Sequence, residues 1–293
     1  MTRQSSSQTS GLITAAIAAA SLGLVTTGVR LAYDGGMNPS TLIAFRVAVG
    51  LIGTFAVALV MRRAFTLPAQ ARWPMIGVTA GSLTIAFGYM GAVFFIPVSL
   101  AALIFYLFPI LILGVTAVVA RRLPSLATMA AFAAAFAGLA LALGSSLDTL
   151  DWRGLALAFA AAVGGTIFLI TAARASRRMD AVVLTFYTQL IGLPIVTAAM
   201  LSMGGPVMPT TDIGWLGLTV AAGAYIVGVI LQMVAVRLAD PAPVSMVSNL
   251  EPLVTLVIAA AILGERLSTI QYLGCALVLA AVMVAAREAM RGG

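Results

Sequence analysis

The chain has 293 residues, of which 62% are hydrophobic and 9% are charged, and its mean hydropathy is +1.12. A soluble domain is about 45 to 50% apolar and about 25% charged, so this composition excludes a water-soluble globular protein. The 16 basic residues, all arginine, outnumber the 9 acidic ones. Helices embedded in lipid cannot present a basic surface to a duplex, so we expect no nucleic-acid partner.

Apolar runs bounded by charged residues, proline and glycine predict ten membrane-spanning helices, since a helix needs about 20 residues to cross a bilayer. The connections are too short for another domain. The first ten residues, MTRQSSSQTS, are expected to form a polar tail and not a removable signal peptide. The sequence thus predicts an all-α membrane protein. The predicted spans are residues 11–30, 39–61, 73–93, 98–120, 125–145, 153–173, 181–203, 213–235, 242–263 and 268–287.

The arginines predict the orientation of these spans, because cytoplasmic loops carry an excess of basic residues. With a cytoplasmic N-terminus, twelve arginines fall on the cytoplasmic side and three on the outside, while Arg46 lies within the second span. Both termini are therefore expected to be cytoplasmic. The cytoplasmic set is Arg3, Arg62, Arg63, Arg72, Arg121, Arg122, Arg174, Arg177, Arg178, Arg237, Arg287 and Arg291, and the external set is Arg30, Arg153 and Arg266.

The chain repeats itself at a constant offset of 143 residues, at which Gly11 matches Gly154 and Pro109 matches Pro252. Each half holds five spans, an odd number, so the second copy must cross the bilayer in the opposite sense to the first. The arginines follow this inversion, because each copy carries them where its loops would face the cytoplasm. We predict two inverted five-helix repeats, residues 1–146 and 147–293.

Two segments in matching spans carry a family resemblance: SLAALIFYLFPILILGVTAVVARRLPS (residues 99–125) and VSMVSNLEPLVTLVIAAAILGERLS (residues 244–268). With the ten spans and the inverted repeat, they resemble the drug/metabolite transporter superfamily, EamA type. The stretch IPVSLAALIFYLFP (residues 96–109) is also similar to bacterial aromatic amino-acid exporters of the YddG type. The resemblance implies a multi-pass protein of the bacterial inner membrane that exports small solutes, with an amino acid as substrate and no cofactor.

Two charged residues lie away from the ends of the predicted spans. Glu251 is the only carboxylate there and falls near the centre of the ninth span, while Arg46 lies about 10 Å from the outer end of the second. A charge in the membrane core is costly unless it is paired or hydrated. Glu251 is expected either to carry a coupling proton or bind a substrate ammonium, or to close helix contacts in a neutral state. Arg46 is expected either to pair or snorkel, or to bind a substrate carboxylate.

Pro109 and Pro252 are predicted to kink the fourth and ninth spans at equivalent points, which frees backbone carbonyls for a ligand or water. Symmetric kinks also suit an alternating-access transporter. Small residues in the third and sixth spans (Gly81, Gly88, Gly91, Gly164 and Gly165) are expected mainly to let helices approach closely.

Aromatic and hydrogen-bonding residues lie near these kinks, on the spans that line the cavity in proteins of the resembled family. Apolar and aromatic walls with a few polar groups suit an amphipathic small molecule. We predict that about half of these residues line a substrate cavity and that the others pack helices. They are Tyr89, Phe105, Tyr106, Phe168, Tyr225, Gln232, Ser245, Ser248 and Asn249.

The residue inventory disfavours an enzyme. The chain has no histidine, no lysine and a single cysteine, Cys275, so it offers no metal-ligand cluster, phosphate-binding lysine or general acid–base set. Two alternatives stay open, an exporter of other metabolites or drugs and a membrane scaffold without transport activity. The small residues of the last span could pack against the fifth span or a second copy, which leaves both a monomer and a homodimer as predictions.

Overall fold

The structure is a computed structural model that describes residues 2–144, 150–263 and 267–291. Within these ranges the fold is all α, as predicted, and its helices form ten apolar segments long enough to cross a membrane. The helices are α1 Thr2–Asp34, α2 Pro39–Val60, α3 Ala69–Ala92, α4 Val98–Phe105, α5 Phe108–Ala120, α6 Leu126–Leu143, α7 Trp152–Ser176, α8 Ala181–Ser202, α9 Asp212–Leu238, α10 Pro241–Ser248, α11 Leu250–Leu263 and α12 Thr269–Arg291.

Short polar side chains set several helix starts by accepting a hydrogen bond from a first-turn backbone N–H. Asn38 caps α2, Ser125 caps α6, Asp180 caps α8 and Thr211 caps α9. These caps stand where the polar connections meet the apolar runs. The predicted spans and the observed helices therefore agree closely at these starts.

The first helix corrects one prediction. The residues expected to form a polar tail continue α1 from Thr2. Side-chain contacts explain the extension: the Ser7 hydroxyl donates to the Leu238 carbonyl at 2.9 Å, and Gln8 Nε2 donates to Asp240 Oδ2 at 3.0 Å. Polarity at this end of α1 thus serves contacts with the end of α9, not solvation of a tail.

Helices from the two halves of the chain pair closely. The main pairs are α1 with α9, α3 with α7, α2 with α8, and α6 with α12. Small residues permit the approach: a Cβ on Gly28 would lie 2.6 Å from the Gly217 carbonyl oxygen, and one on Gly81 would lie 2.7 Å from that of Gly164. The helices α1 and α9 are the first and eighth spans, and α3 and α7 are the third and sixth. Replacing each helix of the first pair by its counterpart in the other repeat, five spans away, gives the second pair. This is the pattern of two intertwined repeats.

The last span packs within the molecule. Gly274 meets the backbone of Gly138 and Ala142 on α6, so the fifth and tenth spans are close partners. Ala281 is buried as well, whereas Ala276 and Ala280 are exposed. Part of the small-residue face thus serves the intramolecular pair, and part faces outward.

The helix ends form two distinct surfaces. One contains the start of α1 and the end of α12, since the Thr9 hydroxyl contacts Met290 Sδ at 3.6 Å. The arginine-bearing connections also meet there, with an ion pair of 3.5 Å from Arg63 to Asp180. We call this surface the arginine-rich end. At the opposite end, the Thr210 N–H donates to the Gly35 carbonyl at 2.9 Å. The start of α1 and the end of α12 therefore lie at the same end of the bundle, and the prediction that both termini are cytoplasmic stays a prediction.

The fourth and ninth spans are each broken into two helices at equivalent positions. The break between α4 and α5 falls at Tyr106 and Leu107, and the break between α10 and α11 falls at Asn249. Asn249 is 143 residues after Tyr106, so the repeat predicted from the sequence relates the two breaks. The predicted domain boundary at residues 146 and 147, and Gly264 to Arg266 of the GERLS pattern, lie outside the described residues.

Buried apolar side chains are distributed unevenly along the bundle axis. One large cluster joins most helices at the centre and toward the arginine-rich end. Toward the opposite end the core divides: one cluster joins the end of α3 to the starts of α4 and α7, and others join α1, α2, α8 and α9. The bundle is thus packed as one body at the arginine-rich end and as separate groups at the other.

Candidate functional site

The two helix breaks meet near the middle of the bundle. Pro109 is at the start of α5 and Pro252 lies in the first turn of α11, positions where a helical N–H has no intrahelical partner. Each proline therefore follows its break and begins a new helix. The backbone carbonyls just before the breaks lose their regular i to i+4 partner.

Glu251 lies at this junction. The Tyr106 hydroxyl is within hydrogen-bonding reach of its carboxyl group, so a residue at one break contacts a residue beside the other. Tyr106 is buried, with 7% of its surface exposed, whereas Glu251 is only partly buried. Glu251 lies about ten residues from either end of its span, where a carboxyl group is stabilised by a hydrogen-bond partner or by hydration.

Arg46 projects toward the same region from α2. Its Cζ lies 4.3 Å from the ring centroid of Tyr225 on α9, a cation–π contact that holds the guanidinium in place. Its Nε is buried and has no hydrogen-bond partner. Arg46 and Glu251 are near enough to interact electrostatically, but they are not among the ion pairs within 4.0 Å of the described residues. The guanidinium therefore keeps donors available for a ligand.

Aromatic rings complete one wall of the site. Phe105 packs edge-on against Tyr89, with ring centroids 6.0 Å apart, and against Tyr106 at 5.3 Å. Phe108 extends the group at 5.2 Å from Phe105. Tyr89 is also close enough to Glu251 for electrostatic interaction. The structure therefore brings together Tyr89, Phe105, Tyr106, Tyr225, Arg46 and Glu251 from the predicted set, and we call these six residues the central cluster.

The remaining predicted residues are placed differently. Ser245 and Ser248 are buried, and their hydroxyls donate to the carbonyls of Ala242 and Val244 in their own helix. Phe168 is 9% exposed in the large core cluster. Their positions identify packing, toward the arginine-rich end, as their present role. Gln232 is half-buried, two turns along α9 from Tyr225.

Asn249 stands out among the buried polar residues. It is 3% exposed, its Nδ2 donates to Met246 Sδ at 3.5 Å, and its Oδ1 has no partner. A buried acceptor without a partner is costly. Its position at the break places this acceptor two residues from Glu251, where a donor on a ligand or a rearranged helix could satisfy it.

Two features of this region were not predicted from the sequence. Tyr33, near the end of α1, is 37% exposed and interacts electrostatically with Arg46 and Tyr89. Asp240, in the connection between α9 and α10, binds Gln8 and also lies 3.6 Å from Arg177 Nη2 on α7. A signal existed for Asp240: it is one of few acidic residues on the side where arginines predominate, and such exceptions suggest specific contacts.

The exposure of side chains along the bundle axis indicates from which end the central cluster is accessible. Tyr33, toward the end opposite the arginine-rich one, is well exposed, and Arg46, Tyr89, Tyr225 and Glu251 are all partly exposed although they face one another. Below them α10 is buried in the continuous core. We interpret the central cluster as the floor and walls of a cleft that is closed at the arginine-rich end.

A charged pair lies at the opposite end of the bundle, at the start of α7. Asp151 caps α7, accepting from the Arg153 backbone N–H at 2.9 Å, and its Oδ2 lies 2.7 Å from Arg153 Nη2. Hydrogen bonds from Arg153 lower the pKa of Asp151. Arg153 also lies over the Phe95 ring at 4.4 Å. These contacts fix the start of α7 and are remote from the central cluster.

Comparison with known proteins supports the fold and part of the resemblance. Residues 152–287, most of the second half, match the EamA-like transporter family. This match supports the resemblance to the drug/metabolite transporter superfamily. With its ten apolar helices, the chain is a multi-pass membrane protein.

The fold is similar to that of a protein solved by crystallography, with a TM-score of 0.82 and 20% sequence identity over 97% of this chain and 99% of the other. At this identity the likeness shows the fold alone. Comparison with curated proteins gives no match. The narrower resemblance to aromatic amino-acid exporters stays a prediction.

Proposed function

We propose that this protein is a secondary transporter that exports small organic solutes, with aromatic or apolar amino acids as the favoured class, across the bacterial inner membrane. The observation that carries the proposal is that Arg46 and Glu251 interact electrostatically next to the aromatic residues of the central cluster. The EamA-like match of residues 152–287 supports the general class, a membrane transporter of small solutes.

The cleft has the groups that a zwitterion needs. The Arg46 guanidinium can donate two hydrogen bonds to a carboxylate, and its Nε has no partner in the protein. The Glu251 carboxyl group can accept from an ammonium. Tyr89, Phe105 and Tyr106 offer ring faces and edges to an apolar or aromatic side chain. Arg46 and Glu251 would therefore orient the backbone of an amino acid, while the rings select its side chain.

Export requires the cleft to open alternately to the two sides. In the present state the bundle is closed at the arginine-rich end, where Asp240 joins α1 through Gln8 and α7 through Arg177. Arg63 and Asp180 add an ion pair between the end of α2 and the start of α8. Both ion pairs are substantially exposed, and exposed ion pairs contribute at most about 1 kcal/mol. Weak bonds of this kind suit a gate that must open in every cycle.

The helix breaks would provide the moving elements. Because Tyr106 and Glu251 connect the two breaks, a ligand that binds Glu251 acts on the junction of all four half-helices. Pairs such as α1 with α9 and α3 with α7, which small residues hold in close contact, would move as units. We infer that the two groups of spans tilt about the junction while the central cluster stays with the substrate.

The energy source has two candidates, proton coupling through Glu251 and facilitated diffusion. A carboxyl group in a partly dry site can bind a proton when its environment changes between the two open states. In the second scheme Glu251 only orients the substrate, and net flux follows the substrate gradient. A membrane scaffold is less well supported, because packing alone does not need partly exposed charges at the centre of the bundle.

The test is uptake into proteoliposomes of the purified protein. Labelled phenylalanine, threonine and an organic cation are offered separately, with and without a pH gradient. We expect saturable uptake of phenylalanine, competition by other apolar amino acids, and little uptake of the cation. Uptake of the cation alone would favour a drug exporter, and flat traces for all three compounds would contradict the proposal as stated.

A further inference from the structure

A groove outside the central cluster opens on the lipid-facing surface between the fourth and sixth spans. It lies between α5 and α7, close to the arginine-rich end, and has a cavity volume of about 260 Å³. That is larger than the roughly 150 Å³ apolar cavity that binds benzene in an engineered protein. Its lining residues are Val115, Thr116, Val119, Ala120, Ile170, Ala173, Arg174, Arg177 and Pro241.

The walls of the groove are apolar along most of their length. Val115 is 40% exposed and Val119 is 68% exposed, so the α5 wall faces the bilayer. The one hydroxyl, that of Thr116, already donates to the Ile112 and Leu113 carbonyls of its own helix at 2.9 Å. The wall therefore leaves no free side-chain donor for a polar ligand and suits a hydrocarbon chain.

The mouth of the groove carries positive charge. Arg174 and Arg177 lie one turn apart at the end of α7, and both are exposed. Arg177 forms a solvent-exposed ion pair of 3.6 Å with Asp240, which leaves its other donors available. An apolar slot with two guanidinium groups at the depth of the lipid headgroups is complementary to an amphiphile with an anionic head.

We propose that this groove binds an anionic phospholipid, with an acyl chain along α5 and the phosphate at Arg174 and Arg177. Pro241 lies at the start of the ninth span, whereas the other lining residues belong to the fourth and sixth. A bound lipid would thus contact both of the helix groups that we expect to move against each other. The site is separate from the central cluster, so its occupancy can be measured without any transport substrate.

The experiment compares lipid retention in native mass spectrometry after exchange into micelles with dioleoyl phosphatidylglycerol or dioleoyl phosphatidylcholine. We expect one phosphatidylglycerol to bind at least about tenfold more tightly than phosphatidylcholine, since each arginine near the headgroups contributes on the order of 1 kcal/mol. The variant R174Q/R177Q should lose this preference. The matched control R62Q/R72Q removes two exposed arginines from the same end of the bundle and should keep it.

A second variant separates the groove from simple charge attraction. Val119→Trp fills the slot and leaves every arginine in place, so it should weaken phosphatidylglycerol binding while the elution profile in detergent stays that of the wild type. Equal binding of the two lipids by the wild type would overturn the proposal. So would equal losses in both double-arginine variants, or unchanged binding in Val119→Trp.

Discussion

The role proposed for Arg46 can be tested by removing each partner of one contact in turn. The Arg46→Gln variant keeps a polar side chain of moderate size and removes the guanidinium. On the ligand side, phenylethylamine is phenylalanine without its carboxylate. If the carboxylate binds Arg46, the variant should weaken binding of phenylalanine much more than binding of phenylethylamine.

The size of the effect follows from the environment of Arg46. The Tyr225 ring, 4.3 Å from Cζ, holds the guanidinium in position, and the buried Nε has no competing partner. A hydrogen-bonded contact with a charged group contributes about 1.5 to 3 kcal/mol, which corresponds to about 10- to 150-fold in Kd. Arg46→Lys should recover only part of this loss, because an ammonium lacks the bidentate geometry.

The assay is competition against labelled phenylalanine with wild-type and variant proteins at equal folded concentrations. The informative quantity is the ratio of the two ligands' inhibition constants in each protein. Tyr225→Phe serves as the matched control, since it keeps the ring under the guanidinium and should change the ratio little. If Arg46→Gln weakens both ligands by the same factor, the carboxylate does not bind at Arg46 and the proposed orientation of the substrate is wrong.

Three further predictions concern coupling, packing and the gate. Glu251→Gln should abolish the pH dependence of transport and leave pH-independent exchange, measured in proteoliposomes; unchanged pH dependence would exclude Glu251 as the proton carrier. Gly217→Ala should lower the free energy of unfolding by about 1 to 3 kcal/mol, because the new Cβ would lie 2.6 Å from the Gly28 carbonyl oxygen. Thermal unfolding in detergent checks this against Gly223→Ala, which meets nothing within 4 Å and should be neutral or slightly stabilising. Asp240→Asn should raise the population open at the arginine-rich end by up to about fivefold, or about 1 kcal/mol, seen as longer spin-label distances across that end; an equal change in a variant of the opposite end would refute a specific gate.

Much of the architecture was predictable because it depends on local sequence. Hydropathy and segment length predicted ten spans, and the observed helices agree with them to within a few residues at most ends. The N-terminus departs from the prediction because Ser7 and Gln8 bind the end of α9, a contact that no local pattern contains. The 143-residue offset that pairs Pro109 with Pro252 also relates the observed breaks at Tyr106 and Asn249.

The candidate site was predictable only as a set of residue types. Charge within a span singled out Arg46 and Glu251, because an ionisable group in a lipid environment needs a special surrounding. The same criteria grouped Tyr89 with Ser245 and Ser248, which the structure separates: Tyr89 lies near Phe105 and Glu251, whereas both serines bond within their own helix. The sequence showed which side chains could bind a ligand. It did not show in which direction each side chain points or at what depth in the bundle it lies.

The sequence by itself determined that this chain spans a membrane, where its helices run and which two charges lie among them, because these properties follow from the transfer of each segment from water to lipid. Only the tertiary structure decided that Tyr33 and Glu251 both come close enough to Arg46 to interact with it, and that Asp240 ties α1 to α7 at the arginine-rich end. These residues are separated by up to about two hundred positions. Their meeting depends on how closely small residues let the helices approach, which is a property of the packed bundle and not of any one span.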